Sequence, residues 1–256
     1  MAPDRELVVR ARGLARRYGE RVVLDGVDLD VRRGTRFGII GPAAAGKTVL
    51  LKHLAGLEAP DRGELAVLGV DLIDKTEAQL AGVRSRLGML FQNYALFDFL
   101  SLAGNVAFPL IQRGGARDDD AEIASRVADR LRAVGLAGSE DKMPGELSGG
   151  MKKRAGIARA TIAHPELILY DEPTAGLDPV TTSKMYELIA ADQAATGCTV
   201  IAVSSDVAAL AAFVDDIAFL YRGRIHHVGP ARAIADAADP IVRQFVRGEL
   251  EGPLQS

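Results

Sequence analysis

The chain has 256 residues, of which 48% are hydrophobic and 25% charged, with a formal net charge of −3. That length carries one large domain or two small ones with an ample core, and the balance is that of a globular protein, not a disordered one. The charge gives no basic footprint for nucleic acid, and a single cysteine, Cys198, excludes an internal disulfide framework and suits a reducing compartment.

The first residues, Met1-Ala-Pro-Asp-Arg-Glu6, are polar and lack the apolar core of a signal peptide. Residues 7–11, 22–24 and 27–31 read as short strands. The last alternates Val27, Asp28, Leu29, Asp30 and Val31, the pattern of a half-exposed antiparallel strand. Tyr18, between them, is either an exposed ring able to stack on a purine or the residue closing a hairpin. Residues 36–40 form an apolar run suited to a buried strand. They lead into Gly41-Pro42-Ala43-Ala44-Ala45-Gly46-Lys47-Thr48, and from Val49 to Ala55 the spacing is helical. A strand, a G-x-x-x-x-G-K-[ST] loop and a helix in succession make a P-loop. Loop N–H groups and the helix N-terminus offer partial positive charge to phosphate oxygens. Lys47 adds a full charge at the β and γ phosphates, and the Thr48 hydroxyl is placed to ligate Mg²⁺. A bound nucleotide is therefore expected.

Further along, 64–69 reads as a strand, 77–86 as a helix and 87–91 as a strand that ends at Gln92. Four of the eight phenylalanines follow closely (Phe91, Phe97, Phe99 and Phe108), around Tyr94 and Leu96. Core packing explains such a cluster, but so does a docking groove for a partner at the edge of the phosphate site. Ile123, Val127, Leu131 and Val134 mark an amphipathic helix over 121–134. Ser148 is a good N-cap for the next helix, which runs to about residue 163, where His164-Pro165 ends it. Gly149 and Gly150 in its first turn each weaken that helix by about 1 kcal/mol relative to Ala. The glycines make sense where a phosphate must approach bare N–H groups.

Residues 167–170 are apolar and are followed by Asp171 and Glu172. A buried parallel strand delivers its C-terminal end to the ligand edge of an α/β sheet. Asp171 is so placed to hold Mg²⁺, and Glu172 to polarise the attacking water. A helix over 180–196 stops at Gly197, a strand over 199–203 leads to Ser204-Ser205-Asp206, and 217–221 with 225–228 form a hairpin around Arg222-Gly223. Short helices and a tail over about 239–256 close the chain. The longest apolar run, 207–214, falls far short of the ~20 residues of a membrane helix, and no internal repeat is present.

With these motifs in this order, the chain resembles the nucleotide-binding subunits of ABC transporters along essentially its whole length. The pairing of 41–48 with Leu147-Ser148-Gly149-Gly150 carries most of the likeness, since a P-loop alone admits kinases and GTPases. The resemblance implies one α/β domain over 1–256. Its fold would be a P-loop ABC ATPase with a RecA-like parallel-sheet core, an N-terminal antiparallel β subdomain and an inserted α-helical subdomain at about 93–163. It also implies roles: Tyr18 stacks on adenine, Gln92 senses Mg²⁺ and the membrane partner, and Ser148, Gly149 and Gly150 form the signature. Asp171 and Glu172 are the Walker B pair, and Asp178 lies in the D-loop. Members form head-to-tail dimers with two ATP molecules, each held between one P-loop and the partner's signature helix. The runs 46–54, 88–97, 105–110, 147–151, 170–179 and 242–248 are similar to Mla-type ATPases. That group energises movement of phospholipids or other hydrophobic molecules with a permease and an MCE-domain protein, from the cytoplasmic face of the bacterial inner membrane.

Two positions depart from the family pattern. Ala43-Ala44-Ala45 stands where Ser-Gly-Ser/Thr is usual. If position 44 needs a positive φ, alanine costs roughly 1–2 kcal/mol there. Ser205 stands where the family places a histidine that reaches the γ-phosphate, and turnover is expected to be slow for that reason. A scaffold subunit that binds ATP without efficient hydrolysis, and a non-transport ABC ATPase, are the competing expectations. Against the second, the chain has no coiled-coil insertion, tandem cassette or basic arm.

Overall fold

The computed structural model describes residues 6–92, 95–113 and 119–254, so Tyr94 and most of the polar loop after Arg113 lie outside the described residues. The chain begins β1 (Leu7–Tyr18), β2 (Arg21–Arg32), β3 (Arg36–Ile40), α1 (Lys47–Leu54), β4 (Arg62–Val67) and β5 (Val70–Asp71). Then come α2 (Glu77–Arg84), β6 (Leu87–Leu90), α3 (Leu102–Gln112), α4 (Asp120–Ala133), α5 (Gly149–Thr161) and β7 (Leu167–Asp171). It ends with α6 (Pro179–Thr196), β8 (Thr199–Val203), α7 (Val207–Phe213), β9 (Asp216–Tyr221), β10 (Arg224–Pro230) and α8 (Pro240–Arg247).

One sheet is antiparallel, in the order β2-β1-β4-β5. Its first two strands are 12 residues each, longer than the fragments read from the sequence. Gly13 and Gly26 interrupt the apolar alternation, but they lie at register shifts with φ of 60° and 81°. Each strand therefore bulges and continues. The second sheet runs β10-β9-β3-β8-β7-β6, parallel except for the β9–β10 hairpin at its edge.

The parallel strands are apolar throughout because both of their faces are covered. In β7, Leu167 and Leu169 enter the core shared with the antiparallel sheet, while Ile168 and Tyr170 enter the core under α6, α7 and α8. A third core is purely helical: Leu102, Val106 and Leu110 of α3 meet Val127 and Leu131 of α4 and Ala155 and Ala158 of α5. The junction between this helical body and the parallel sheet is tight. A Cβ on Gly88 would lie 2.0 Å from the Ala160 carbonyl oxygen, so β6 and α5 meet backbone to backbone. At the entry to β7, Glu166 accepts from Arg86 Nε (2.6 Å) and Arg33 Nη1 (2.9 Å). The bonds from Arg86 lead in holding its carboxyl down, to about 2. Among the described residues no helix is long and apolar enough to cross a membrane.

Candidate functional site

Strand register lines up the candidate residues. Ile39, Val203 and Asp171 are neighbours across β3, β8 and β7, and Leu90 of β6 lies beside Tyr170. Gly41, Ser205, Glu172 and Gln92 each follow that line by one or two residues, so they leave the same carboxyl edge of four adjacent strands. This is the edge at which open α/β sheets hold ligands.

The loop over 41–48 is shaped by its glycines. A Cβ on Gly41 would lie 2.0 Å from the Leu220 carbonyl oxygen, and one on Gly46 would meet Val23 O and Leu24 Cδ2 at 2.9 Å. Between them Pro42 is half-buried, Ala43 and Ala44 are exposed, and the Ala45 N–H donates to Pro42 O at 3.3 Å. Ala44 does adopt a positive φ, 59°. Lys47 Nζ reaches back over the loop, donating to Gly41 O (2.7 Å) and Pro42 O (2.9 Å). Burial pulls its pKa down, against the raising influence of Glu172 and Asp171. An ammonium resting on two neutral carbonyls close to two carboxylates is a cation ready to exchange partners for a phosphate. Val49, half-buried, packs on the core behind.

Asp171 is 2% exposed, and its Oδ1 has no hydrogen-bond partner. Burial pushes its pKa up, with the nearby Thr48 hydroxyl acting in the opposite direction. An orphaned carboxylate oxygen beside a threonine hydroxyl is an all-oxygen donor set, the kind that suits Mg²⁺. Glu172 adopts φ 53°, and its Oε2 accepts from both the backbone N–H (3.0 Å) and the hydroxyl (3.1 Å) of Ser205. Gln92 is exposed just beyond β6. Asp178 caps α6, accepting from Thr181 N (3.0 Å) and Thr181 Oγ1 (2.6 Å), and these bonds hold its carboxyl below the usual range.

Ser148 caps α5, its Oγ accepting from Met151 N at 3.3 Å. Among the described residues no hydrogen bond or ion pair joins Ser148, Gly149 or Gly150 to the loop over 41–48. A Cβ on either glycine would meet nothing within 4 Å, so packing within this chain does not demand glycine there. Tyr18 ends β1 paired with Arg21, two residues from the Val23 that touches Gly46. It is 43% exposed, its hydroxyl donates to Glu58, and the Arg16 guanidinium lies 4.8 Å from its ring centre. The tyrosine thus closes the hairpin and keeps an accessible ring.

Beside Gln92 lies a groove of about 650 Å³ between α2, β6, α3 and α5, floored by Met89, Phe91, Phe97, Phe108 and Pro109. Phe97 packs between Phe108 (4.7 Å) and Phe99 (5.5 Å) with its ring tilted to both, and Phe99 is 76% exposed. The sequence alone assigns no role to two contributing residues. Asn105, fully buried in α3, accepts from Phe97 N (2.7 Å) and donates to Phe97 O, Leu100 O and Ser101 O, which clamps the aromatic loop. A lone amide in an apolar helix stripe is the available signal, since a buried polar group must find partners. Lys153 of α5 donates to Ala175 O, tying the helix capped by Ser148 to the segment after Glu172.

The profile described as ABC transporter matches residues 24–175. The chain belongs to the ABC transporter family. It is an ATP-binding, ATP-hydrolysing subunit of that family, and solved ABC cassettes share its fold. A dimeric ATP-binding cassette, MJ0796, in a post-hydrolysis state bound to ADP and Pi, superposes with a TM-score of 0.82 at 28% identity. The match covers 88% of this chain and 99% of that one. MlaF of Escherichia coli K12, an intermembrane phospholipid transport system ATP-binding protein, is 39% identical over 96% of this ABC subunit and 91% of its own length. The protein mkl of Mycobacterium leprae, a probable ribonucleotide transport ATP-binding protein, is 38% identical over 97% of this chain and 71% of its own.

Proposed function

We propose that this subunit energises transport of phospholipids or other hydrophobic molecules, working from the cytoplasmic face of a bacterial inner membrane with a permease and an MCE-domain protein. The observation that carries this reading is the likeness to MlaF, which extends over nearly the full length of both chains. On this reading two copies pair head to tail. Each P-loop then faces the other copy's Ser148–Gly150 segment, and the open surface over Gly149 and Gly150 supports that pairing. The helical segment over about 93–163 acts as a subdomain inserted into the single ATPase domain, and residues beyond about 239 form a tail. Tyr18 takes the adenine, the 41–48 loop and Val49 cradle the phosphates, and Lys47 moves from its carbonyls to the β and γ phosphates. Thr48 and Asp171, with Gln92 at the edge, would hold Mg²⁺, whose charge offsets that of the phosphates. Glu172 polarises the attacking water, and Asp178 orders the facing segment. The groove beside Gln92, with Phe97 in its floor and Phe99 packed against Phe97, receives a cytoplasmic helix of the permease.

The experiment is reconstitution of the chain with its permease and MCE partner in vesicles, with ATP-driven transfer of a fluorescent phospholipid as the readout. Transfer that depends on ATP and disappears with Lys47→Ala is the expected result. ATP turnover stimulated by ribonucleotides and indifferent to phospholipid would overturn the lipid assignment and favour the function named for the mycobacterial relative.

A further inference from the structure

We propose that Ser205 is a positioning residue for the Glu172 carboxylate and does not replace a phosphate-contacting side chain. The inference rests on Glu172 being the group that polarises the attacking water. Strands β7 and β8 are adjacent and parallel, with Asp171 opposite Val203. One bond beyond the strand end continues the ladder, from Glu172 N to Val203 O at 3.0 Å. Glu172 then adopts φ 53°, a left-handed conformation that side-chain-bearing residues seldom take up. Its carboxylate lies against the end of β8, where Ser205 grips one oxygen twice, through its backbone N–H at 3.0 Å and its hydroxyl at 3.1 Å.

Two donors from one residue to one oxygen fix the rotamer of the carboxylate. They leave Oε1, which makes no hydrogen bond among the described residues, as the oxygen able to accept from water. A serine hydroxyl has a single proton to donate, and here Glu172 takes it, so donation to a phosphate would require this bond to break. The short reach of serine is also what the task needs, because the carboxylate lies directly beside residue 205. Ser205 belongs to the hydrolytic machinery on this account, and the departure at 205 is not a gap in it.

The test is ATP turnover by the complex assembled from full-length chains carrying Ser205→Ala, Ser205→Thr, Glu172→Gln, or Ser205→Ala with Glu172→Gln. A general base held about an ångström out of place loses on the order of ten- to a hundredfold in rate. The backbone N–H survives in every variant, so Ser205→Ala should lower kcat by roughly tenfold while KM for ATP moves less than about twofold. Ser205→Thr, which keeps the hydroxyl, should restore most of the rate. In the Glu172→Gln background, the single-turnover rate should not fall further when Ser205→Ala is added. An equal fold loss in both backgrounds would show that the hydroxyl acts without Glu172 and would overturn the proposal. So would an unchanged kcat in Ser205→Ala, or a Ser205→Thr as slow as Ser205→Ala. Parental turnover by Glu172→Gln alone would overturn the assignment of Glu172 itself, a separate and distinguishable result.

Discussion

Replacing Ala44 by glycine should stabilise the nucleotide-free protein, against the usual direction of Ala→Gly changes. Ala44 sits at φ 59°, where an L side chain is disfavoured by roughly 1–2 kcal/mol. Glycine removes that strain but enlarges the unfolded ensemble, at a penalty of about 0.4–1 kcal/mol. The difference is a net gain of about 0.5–1 kcal/mol, or roughly 1–3 °C in Tm for a chain of this size. Ala43, the exposed neighbour, has no positive φ. There the same change carries only the entropic penalty, so Ala43→Gly should lose about 0.5–1 kcal/mol. Urea unfolding of the two variants without nucleotide, compared through midpoints at constant m-value, gives the sign of each effect. If Ala44→Gly loses as much stability as Ala43→Gly, residue 44 is not held left-handed in solution and the strain argument fails.

Two further outcomes follow from the groove and from the charge cluster below the sheet. Phe99 is 76% exposed, so Phe99→Asp should alter stability by less than about 0.5 kcal/mol yet weaken co-purification with the permease, with ATP binding intact; Phe97→Asp should add to the detachment. Parental recovery of the permease with Phe99→Asp would remove the groove from the interface. Glu166 has its folded pKa lowered from 4.5 to about 2 by Arg86 and Arg33, so it stabilises the fold above about pH 4.5 and loses that contribution as pH falls toward 2. Its side chain is 39% exposed, and solvent screening leaves about 1 kcal/mol of the effect. Glu166→Gln should therefore be less stable by about that amount at pH 7, and the gap should narrow in urea melts between pH 4.5 and 2; a constant gap would sink the assignment.

What could be read in the sequence was local. The strand–loop–helix of 36–55 declares itself because glycine spacing, Lys47 and the flanking apolar runs all lie in one short window. Asp171 and Glu172 stand out because a strand buried on both faces is uniformly apolar until it reaches the edge. Capping residues marked helix ends well: Ser148 begins α5, and Gly197, at φ 68°, ends α6. The unread part depends on partners distant in sequence. Gly13 and Gly26 look like strand breaks until β1 and β2 are paired and the bulges appear. The grip of Ser205 on Glu172 spans 33 positions and exists only because β7 and β8 are neighbours. An alanine at 44 says nothing of its own φ, and Asn105 finds its partners only once the aromatic loop folds over α3.

The close meeting of Gly88 and Ala160 seats α5 on β6 as a rigid strut. The C-terminal end of this helix borders the groove through Arg159 and Ala160, and its other end presents Ser148. The 13 residues between span about 20 Å of hydrogen-bonded rod. At Gly88 there is no side chain to change rotamer, and a Cβ there would lie 2.0 Å from the Ala160 carbonyl oxygen, so the groove floor rests directly on the helix backbone. The bond from Lys153 to Ala175, part-way along, ties the rod to the segment that follows Glu172. The groove and the Ser148 end are thus joined by one unbroken helix whose contact with β6 has no side chain that could give way.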